Sequence, residues 1–274
     1  MKKKWKIRHI VILFLLIFVI AYVIYGFCDT KLTLTLYDYH NTKLPEEFNG
    51  FKIIQISDLH HKNFGKNQEQ LIDMIRKEKP DIILLTGDIA DEEHTNMKPI
   101  EDMLVGICDI ASVYYVSGNH ELYNKAKKQY DKLEELFDEY GVMDIDDETV
   151  EIEKGNVSIY LHGEKYRNKS IAKHMEYVDE SKFNILMYHC SDAFDLINNF
   201  GYDIIFSGHT HGGVVKLPFI GGLVGNGGEL FPKYDSGVFI HEKCTMFSSS
   251  GLGDTKFPRF NNPPEVLSVT LYSK

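Results

Sequence analysis

Between residues 52 and 140 short apolar runs alternate with amphipathic stretches of ten residues or more, which confines the chain to strand–helix–strand units around a sheet. The runs at 52–57, 81–86 and 113–116 read as strands, and the stretches at 67–78, 98–108 and 125–140 as helices. After Gly141 the pattern turns β-rich, with strand-like segments at 148–153, 157–162, 184–188, 204–207, 238–241, 245–249 and 266–272. Two mixed sheets in layers accommodate both halves. The glycine-dense tract 208–228 predicts loop.

The chemistry sits where these runs end. Ile53, Ile54 and Ile56 lead into Ser57-Asp58-Leu59-His60, and in extended backbone positions i and i+2 point to one side, so Asp58 and His60 can share an ion. The next runs end in Gly87-Asp88-Ile89-Ala90-Asp91 and in Gly118-Asn119-His120-Glu121. Later ones end in His189 and in Gly208-His209-Thr210-His211. A lone Asp-x-His or Gly-Asp is more often a turn, because turn chemistry favours Gly, Asp and Asn. Five metal-capable strand ends in one chain leave coincidence a very small share, and open α/β sheets gather ligands outside the carboxyl ends of their strands.

This ordered set, Asp-x-His, Gly-Asp-x-x-Asp, Gly-Asn-His-Glu, a single His and Gly-His-x-His, resembles the calcineurin-like metallophosphoesterase superfamily over residues 51–272, with every block present. The resemblance implies a four-layer αββα sandwich, two mixed β-sheets flanked by helices, with a centre for two divalent ions. It assigns one ion to Asp58, His60, Asp88 and His211 and the other to Asp88, Asn119, His189 and His209. Asp88 bridges. His120 falls beside the phosphoryl oxygen, with Asp91 as its orienting partner. The tail 248–265, with the apolar N-terminus and His-Thr-His-Gly-Gly, is similar to membrane-associated bacterial phosphoesterases of the YkuE/YaeI type. That group is related to enzymes that cleave the pyrophosphate of UDP-diacylglucosamine. Arg259 on this tail can pair bidentately with a second phosphate.

Elementary chemistry runs parallel to the resemblance. Two divalent ions about 3.5–4 Å apart need a shared carboxylate to offset their repulsion, and a water bridging them loses a proton near neutral pH and attacks phosphorus in line. His120 can stabilise the charged oxygen or protonate the leaving alkoxide. An all O/N ligand set excludes a thiolate zinc site and leaves Mn, Fe and Zn open.

Charge supports the need for ions. With 40 acidic and 30 basic residues the formal charge is −10, which repels phosphate polymers and argues against a nucleic-acid binder, so a phosphate site must make its own positive charge. Cys28, Cys108, Cys190 and Cys244 fit no disulfide framework.

The N-terminus sets the compartment. Residues 10–27 are uncharged and apolar, about 27 Å at 1.5 Å per residue, and follow Lys2, Lys3, Lys4, Lys6 and Arg8. Such a basic flank stays cytoplasmic and sends the downstream chain across the membrane. The segment lacks the small-residue end of a cleaved signal peptide. The chain therefore divides into a cytoplasmic flank (1–9), a single-pass anchor (10–27), a linker and edge strand (28–50) that sets the body about twenty residues from the bilayer, and an extracytoplasmic metallophosphoesterase domain (51–274).

The function expected is a membrane-anchored two-metal phosphoesterase acting on phosphoester or pyrophosphate bonds of lipid-linked or cell-envelope substrates. The alternatives are a general extracellular phosphomonoesterase or phosphodiesterase, and a vestigial metal-binding module, which would be expected to have lost His120 or Asp91. His61 and His94 read as solvated loop residues, 144–148 as a solvated acidic turn, and His162 as a residue of the crevice mouth.

Overall fold

The computed structural model describes residues 2–28, 30–225, 228–253 and 258–274, with the side chains of 2–6 and 169 outside that description. Asp29, the first linker residue, and Asn226 and Gly227 of the glycine-dense tract therefore lie outside the described residues, as do the side chains of Lys2, Lys3, Lys4 and Lys6. The chain begins with α1 (Lys2–Cys28), then β1 (Thr33–Asn41), β2 (Phe51–Ile56), α2 (Glu69–Glu78), β3 (Ile82–Leu85), α3 (Lys98–Cys108), β4 (Ser112–Tyr115), α4 (Lys127–Tyr140) and β5 (Met143–Asp144). The second half runs β6 (Thr149–Lys154), β7 (Val157–Gly163), β8 (Asn184–Cys190), α5 (Phe194–Ile197), β9 (Ile204–Gly208), β10 (Lys216–Leu217), β11 (Gly221–Gly222), β12 (Gly237–His241), β13 (Cys244–Ser248) and β14 (Glu265–Ser273).

Among the described residues one sheet has the order β1-β14-β2-β3-β4-β5 and the other β12-β13-β9-β8-β7-β6. Strands β2, β3 and β4 are parallel, as are β7, β8, β9 and β13. Central parallel strands are covered on both faces, which is why Ile53 to Ile56 and Ile82 to Leu85 carry almost no water-facing residue.

Period-2 alternation divides these strands between two cores. Ile54, Ile56, Ile83 and Leu85 face outward against Leu71 and Ile75 of α2, Met103 and Leu104 of α3, and Leu133 and Phe137 of α4. Ile53, Ile82 and Leu84 face inward against Ile159, Leu161, Ile185, Met187 and Phe206 of the second sheet. A third cluster covers the far side of that sheet, where Leu186, Tyr188, Ile205 and Met246 meet Ile171, Phe194 and Ile197. The order helix, sheet, sheet, helix is the expected sandwich. Its second helical layer is thin, supplied by the one-turn α5 and a 3₁₀ segment, Asn168–Lys173.

The edge strand expected within 28–50 is present, and the linker before it is shorter than expected. β1 pairs residue for residue along all of β14, from Thr33↔Glu265 to Asn41↔Ser273, so it is an integral edge strand of the first sheet. Only residues 29–32 separate it from α1. The stretch between α1 and the first sheet is a few residues long, against the roughly twenty read from the sequence, because Leu34 and Leu36 belong to a strand whose partner lies more than 200 positions away.

Candidate metal centre

Parallel strands from both sheets end at one edge, and the residues after them converge. Gln55 stitches the sheets at this point, its Nε2 donating to Thr86 Oγ1 at 2.8 Å and to the Ser207 carbonyl at 2.9 Å. Around His189 Nε2 lie Asp88 Oδ2 at 3.2 Å, Asn119 Oδ1 at 3.2 Å and His209 Nδ1 at 3.1 Å. These are four atoms from four separate stretches of the chain. His189 Nδ1 donates to the Thr86 carbonyl at 2.8 Å, which fixes the ring and turns Nε2 toward the cluster. Asn119 Nδ2 likewise donates to the Tyr123 hydroxyl at 3.1 Å, leaving Oδ1 inward.

A second cluster adjoins the first. His211 Nε2 lies 3.4 Å from Asp58 Oδ1, His60 Nε2 lies 3.8 Å from Asp88 Oδ2, and the His60 and His211 rings stack at 5.2 Å. Asp88 thus touches both. Asp58-His60-His211 and Asp88-His189-His209 each bring three ligand atoms within 4.8 Å of one another.

The donor chemistry fits cations. Asp88 Oδ2 and His211 Nε2 are buried without a hydrogen bond, a costly state for polar atoms inside a protein. Burial works against charge on His189, but the Asp88 carboxylate overrides it and raises the imidazole to about 10; burial works the other way on Asp88, whose histidine neighbours hold it well below the carboxylate range. The cluster draws positive charge from any source.

Backbone geometry is unusual at the same residues. Asp58, His60, Asp88, His209 and His211 all have φ between +46° and +74°, a left-handed region costly for residues with a Cβ and concentrated at functional sites. Gly87 precedes Asp88 at φ +87°, and a Cβ there would stand 2.6 Å from Gly118 N and 2.7 Å from His189 Nδ1. The two glycines of Gly-Asp and Gly-Asn-His are packed against each other so that β3 and β4 deliver their ligands side by side.

Glu121 holds this junction together. Its carboxylate accepts from the backbone N–H groups of Asp88 (2.9 Å), Ile89 (2.6 Å), Ala90 (3.1 Å) and Gly118 (3.0 Å). Burial and the nearby Asp88 carboxylate push it up to about 8 against those four donors, which favour the ionised form. Glu121→Ala strands four buried N–H groups, each costing about 1–3 kcal/mol when unpaired. We expect a loss of at least ~3 kcal/mol, read as a lower urea midpoint in chelator, with an unshifted midpoint counting against the role.

His120 sits at the mouth, its side chain 22% exposed, its ring edge-on to His60 at 4.8 Å and its backbone N–H on Asp88 Oδ1 at 2.9 Å. Its expected partner is elsewhere. Asp91 faces His60 Nδ1 at 3.3 Å and His94 Nδ1 at 2.9 Å, while His120 Nδ1 meets Glu92 Oε2 at 2.7 Å. Positions 91 and 92 leave the same loop in different directions. The carboxylate that orients His120 is therefore Glu92, and Asp91 orients His60, held below the usual carboxylate range despite burial by His60 and His94.

Other expectations are corrected. Arg259 is buried at 7% exposure, with Nε and Nη2 donating to the Gly253 carbonyl at 3.0 and 2.7 Å and Nη2 lying 3.4 Å from His211 Nδ1, so it braces the tail against His211. These contacts occupy Nε and Nη2 with backbone carbonyls of the tail. His61 is buried, accepting from Asp91 N at Nε2 (3.2 Å) with its Nδ1 3.0 Å from the Asn96 carbonyl, whereas His94 is exposed. Asp146, in the turn read as solvated, accepts from Ser117 N and Oγ at 2.9 and 2.6 Å, and burial raises it to about 6. His162 bonds Thr149 and Asn184 on the second sheet and does not join the cluster. Cys190 is buried beside Asp192 and His209, its thiol pushed up well above the usual range by burial.

A two-sheet sandwich whose strand ends bring carboxylates and imidazoles together has the site of a metal-dependent enzyme, and the family match makes it a metal-dependent phosphoester hydrolase. Residues 51–213 match the Calcineurin-like phosphoesterase family, and the chain belongs to it. It is 27% identical over 244 residues to the uncharacterized metallophosphoesterase YkuE of Bacillus subtilis, covering 84% of this chain and 82% of that one. It is 28% identical over 220 residues to the uncharacterized metallophosphoesterase YkoQ of the same organism, covering 78% and 81%. To the phosphodiesterase YaeI of Escherichia coli it is 24% identical over 229 residues, covering 81% and 82%.

Proposed function

We propose that the chain is a two-metal phosphoesterase held in the cell membrane by α1, with its N-terminus cytoplasmic and its body outside, acting on phosphoester or pyrophosphate bonds of lipid-linked substrates. The observation that carries the reading is the position of Asp88, whose Oδ2 lies 3.2 Å from His189 Nε2 in one cluster and 3.8 Å from His60 Nε2 in the other. Asp58, His60, Asp88 and His211 are the residues that would hold one ion, and Asp88, Asn119, His189 and His209 the other. Divalent ions bound there supply local positive charge to a chain of formal charge −10 and acidify bound water.

The chain's own residues supply orientation and a proton. Glu92 holds His120 Nδ1–H and fixes the ring, so that Nε2 faces the mouth and can donate to a phosphoryl oxygen or a departing alkoxide. Asp91 does the same for His60, turning its Nε2 toward Asp88. α1 supports the membrane reading by length and composition, with Ile7–Cys28 apolar and almost wholly outside the core. Five basic residues before Ile10 against Lys31 and Lys43 in 28–50 support the orientation.

The test is a phosphoester panel on the detergent-solubilised full chain with Mn, Fe or Zn, including p-nitrophenyl mono- and diesters and lipid-linked pyrophosphates. Turnover favouring lipid-linked substrates is expected. Equal turnover of soluble esters favours a general phosphatase retained at the envelope, and no turnover with any metal overturns the catalytic reading.

A further inference from the structure

Beside the metal cluster the body carries an apolar rim. Phe219, Ile220, Leu230 and Phe231 are exposed at 107%, 59%, 71% and 63%. They ride on a small ribbon made of 214–225 and 228–231. Its backbone steps run from Phe260 to Lys216 (2.9 Å), from Val215 to Leu223 (2.7 Å) and from Leu223 to Phe231 (2.9 Å). Phe219 occupies the tight turn between β10 and β11, where Ile220 N bonds the Leu217 carbonyl at 3.2 Å.

The opposite edge of the ribbon is where α1 lands. Tyr22 and Phe27 set their rings edge-on to Phe260 at 5.7 and 5.0 Å, and Asn261 N donates to the Gly26 carbonyl at 2.7 Å. Gly26 permits the approach, since a Cβ there would stand 2.4 Å from the Phe260 ring. The exposed Leu230 and Phe231 are about three inter-strand steps of ~4.8 Å from that docking point, and therefore within ~15 Å of the helix end. Ile7–Cys28 is long enough to span a bilayer, so its last turn, and with it Phe260, lies at the head-group level. An apolar rim at that level has one continuous apolar medium to enter, the membrane α1 leaves. Asn262 ties the ribbon to the cluster, its Nδ2 donating to the carbonyls of His211 at 2.7 Å and Val214 at 3.3 Å.

We propose that the ribbon formed by 214–225 and 228–231 is an interfacial wedge, inserting Phe219, Ile220, Leu230 and Phe231 into the leaflet from which α1 emerges. The chain then grips the bilayer at two points, and the His209 and His211 edge of the metal cluster opens at the lipid head groups. This rests on the reading of α1 as an anchor, and the experiment separates the two.

The full chain is placed in phosphatidylcholine–phosphatidylglycerol vesicles brominated at shallow or deep acyl positions. Trp5→Phe removes the single tryptophan. On that background Phe219→Trp, Phe231→Trp, Leu16→Trp and Lys243→Trp are compared by fluorescence quenching. Lys243 is 87% exposed in the β12–β13 turn, at the end of the second sheet away from the cluster. Leu16→Trp is expected to be quenched by deep bromine, Phe219→Trp and Phe231→Trp several-fold more by shallow bromine than Lys243→Trp, and Lys243→Trp scarcely at all. Quenching at 16 with 219 and 231 no better than 243 overturns the wedge and leaves the anchor. A blue-shifted but unquenched emission at 219 and 231 overturns it in favour of a protein contact. An unquenched Leu16→Trp overturns the anchor, and the wedge with it.

Discussion

Asp88→Ala is expected to abolish metal loading and turnover together. One carboxylate faces both clusters, and its loss leaves two sets of imidazoles and a single acidic partner, Asp58, too little charge to hold two divalent ions close together. The variant also loses the acceptor for His120 N, so His120 drifts from the mouth. Elemental analysis of the purified protein decides the matter, with circular dichroism confirming that the fold survives. Two ions per chain retained by Asp88→Ala would sink the assignment.

The second large effect separates chemistry from binding. His120→Asn leaves every proposed ligand atom in place, so metal content is expected to stay at the parent level. Turnover should fall by roughly 10²–10⁴-fold, the usual contribution of a positioned acid or base. If Nε2 delivers the proton to the leaving alkoxide, p-nitrophenyl esters, whose leaving group needs little help, lose less than alkyl esters. Equal losses would show that His120 stabilises charge generally and is not the proton donor. Glu92→Gln should reproduce part of the defect through the ring's orientation, and Asp91→Asn should act on metal content through His60.

The contrast between positions 91 and 92 marks where sequence reading stops. Strand ends were legible because apolar runs such as Ile82 to Leu85 are buried on both faces, and a polar cluster after such a run has to sit at the sheet's edge. Asp58, His60, Asp88, Asn119, His189, His209 and His211 converge for that reason. Which of two adjacent acids reaches a given imidazole depends on loop dihedrals with no period, and the resemblance that pointed to Asp91 says nothing of the chain's direction after Ala90. Glu121 was written in the sequence beside His120, but its four N–H partners come from loops that only the fold brings within reach. The same limit explains β1. The alternation of Leu32, Leu34 and Leu36 marks a strand without naming its neighbour, and the neighbour, β14, is the last element of the chain.

Asp58 and Asp88 follow strands of the first sheet, while His189 lies at the end of a strand of the second and His209 and His211 follow another. Any ion shared by these groups is consequently a rivet through the inner layer of the sandwich, joining two halves that otherwise meet through the apolar cluster between them and a few polar stitches such as Gln55. Such a rivet adds RT ln(1 + [M]/Kd) to the resistance of both halves at once, about 2.7 kcal/mol when the ion stands at a hundred times its dissociation constant. The left-handed backbone at five of these residues turns their side chains toward that fastening. Metal supply thereby becomes a setting for how tightly the two sheets are clamped, as well as for how fast the enzyme runs.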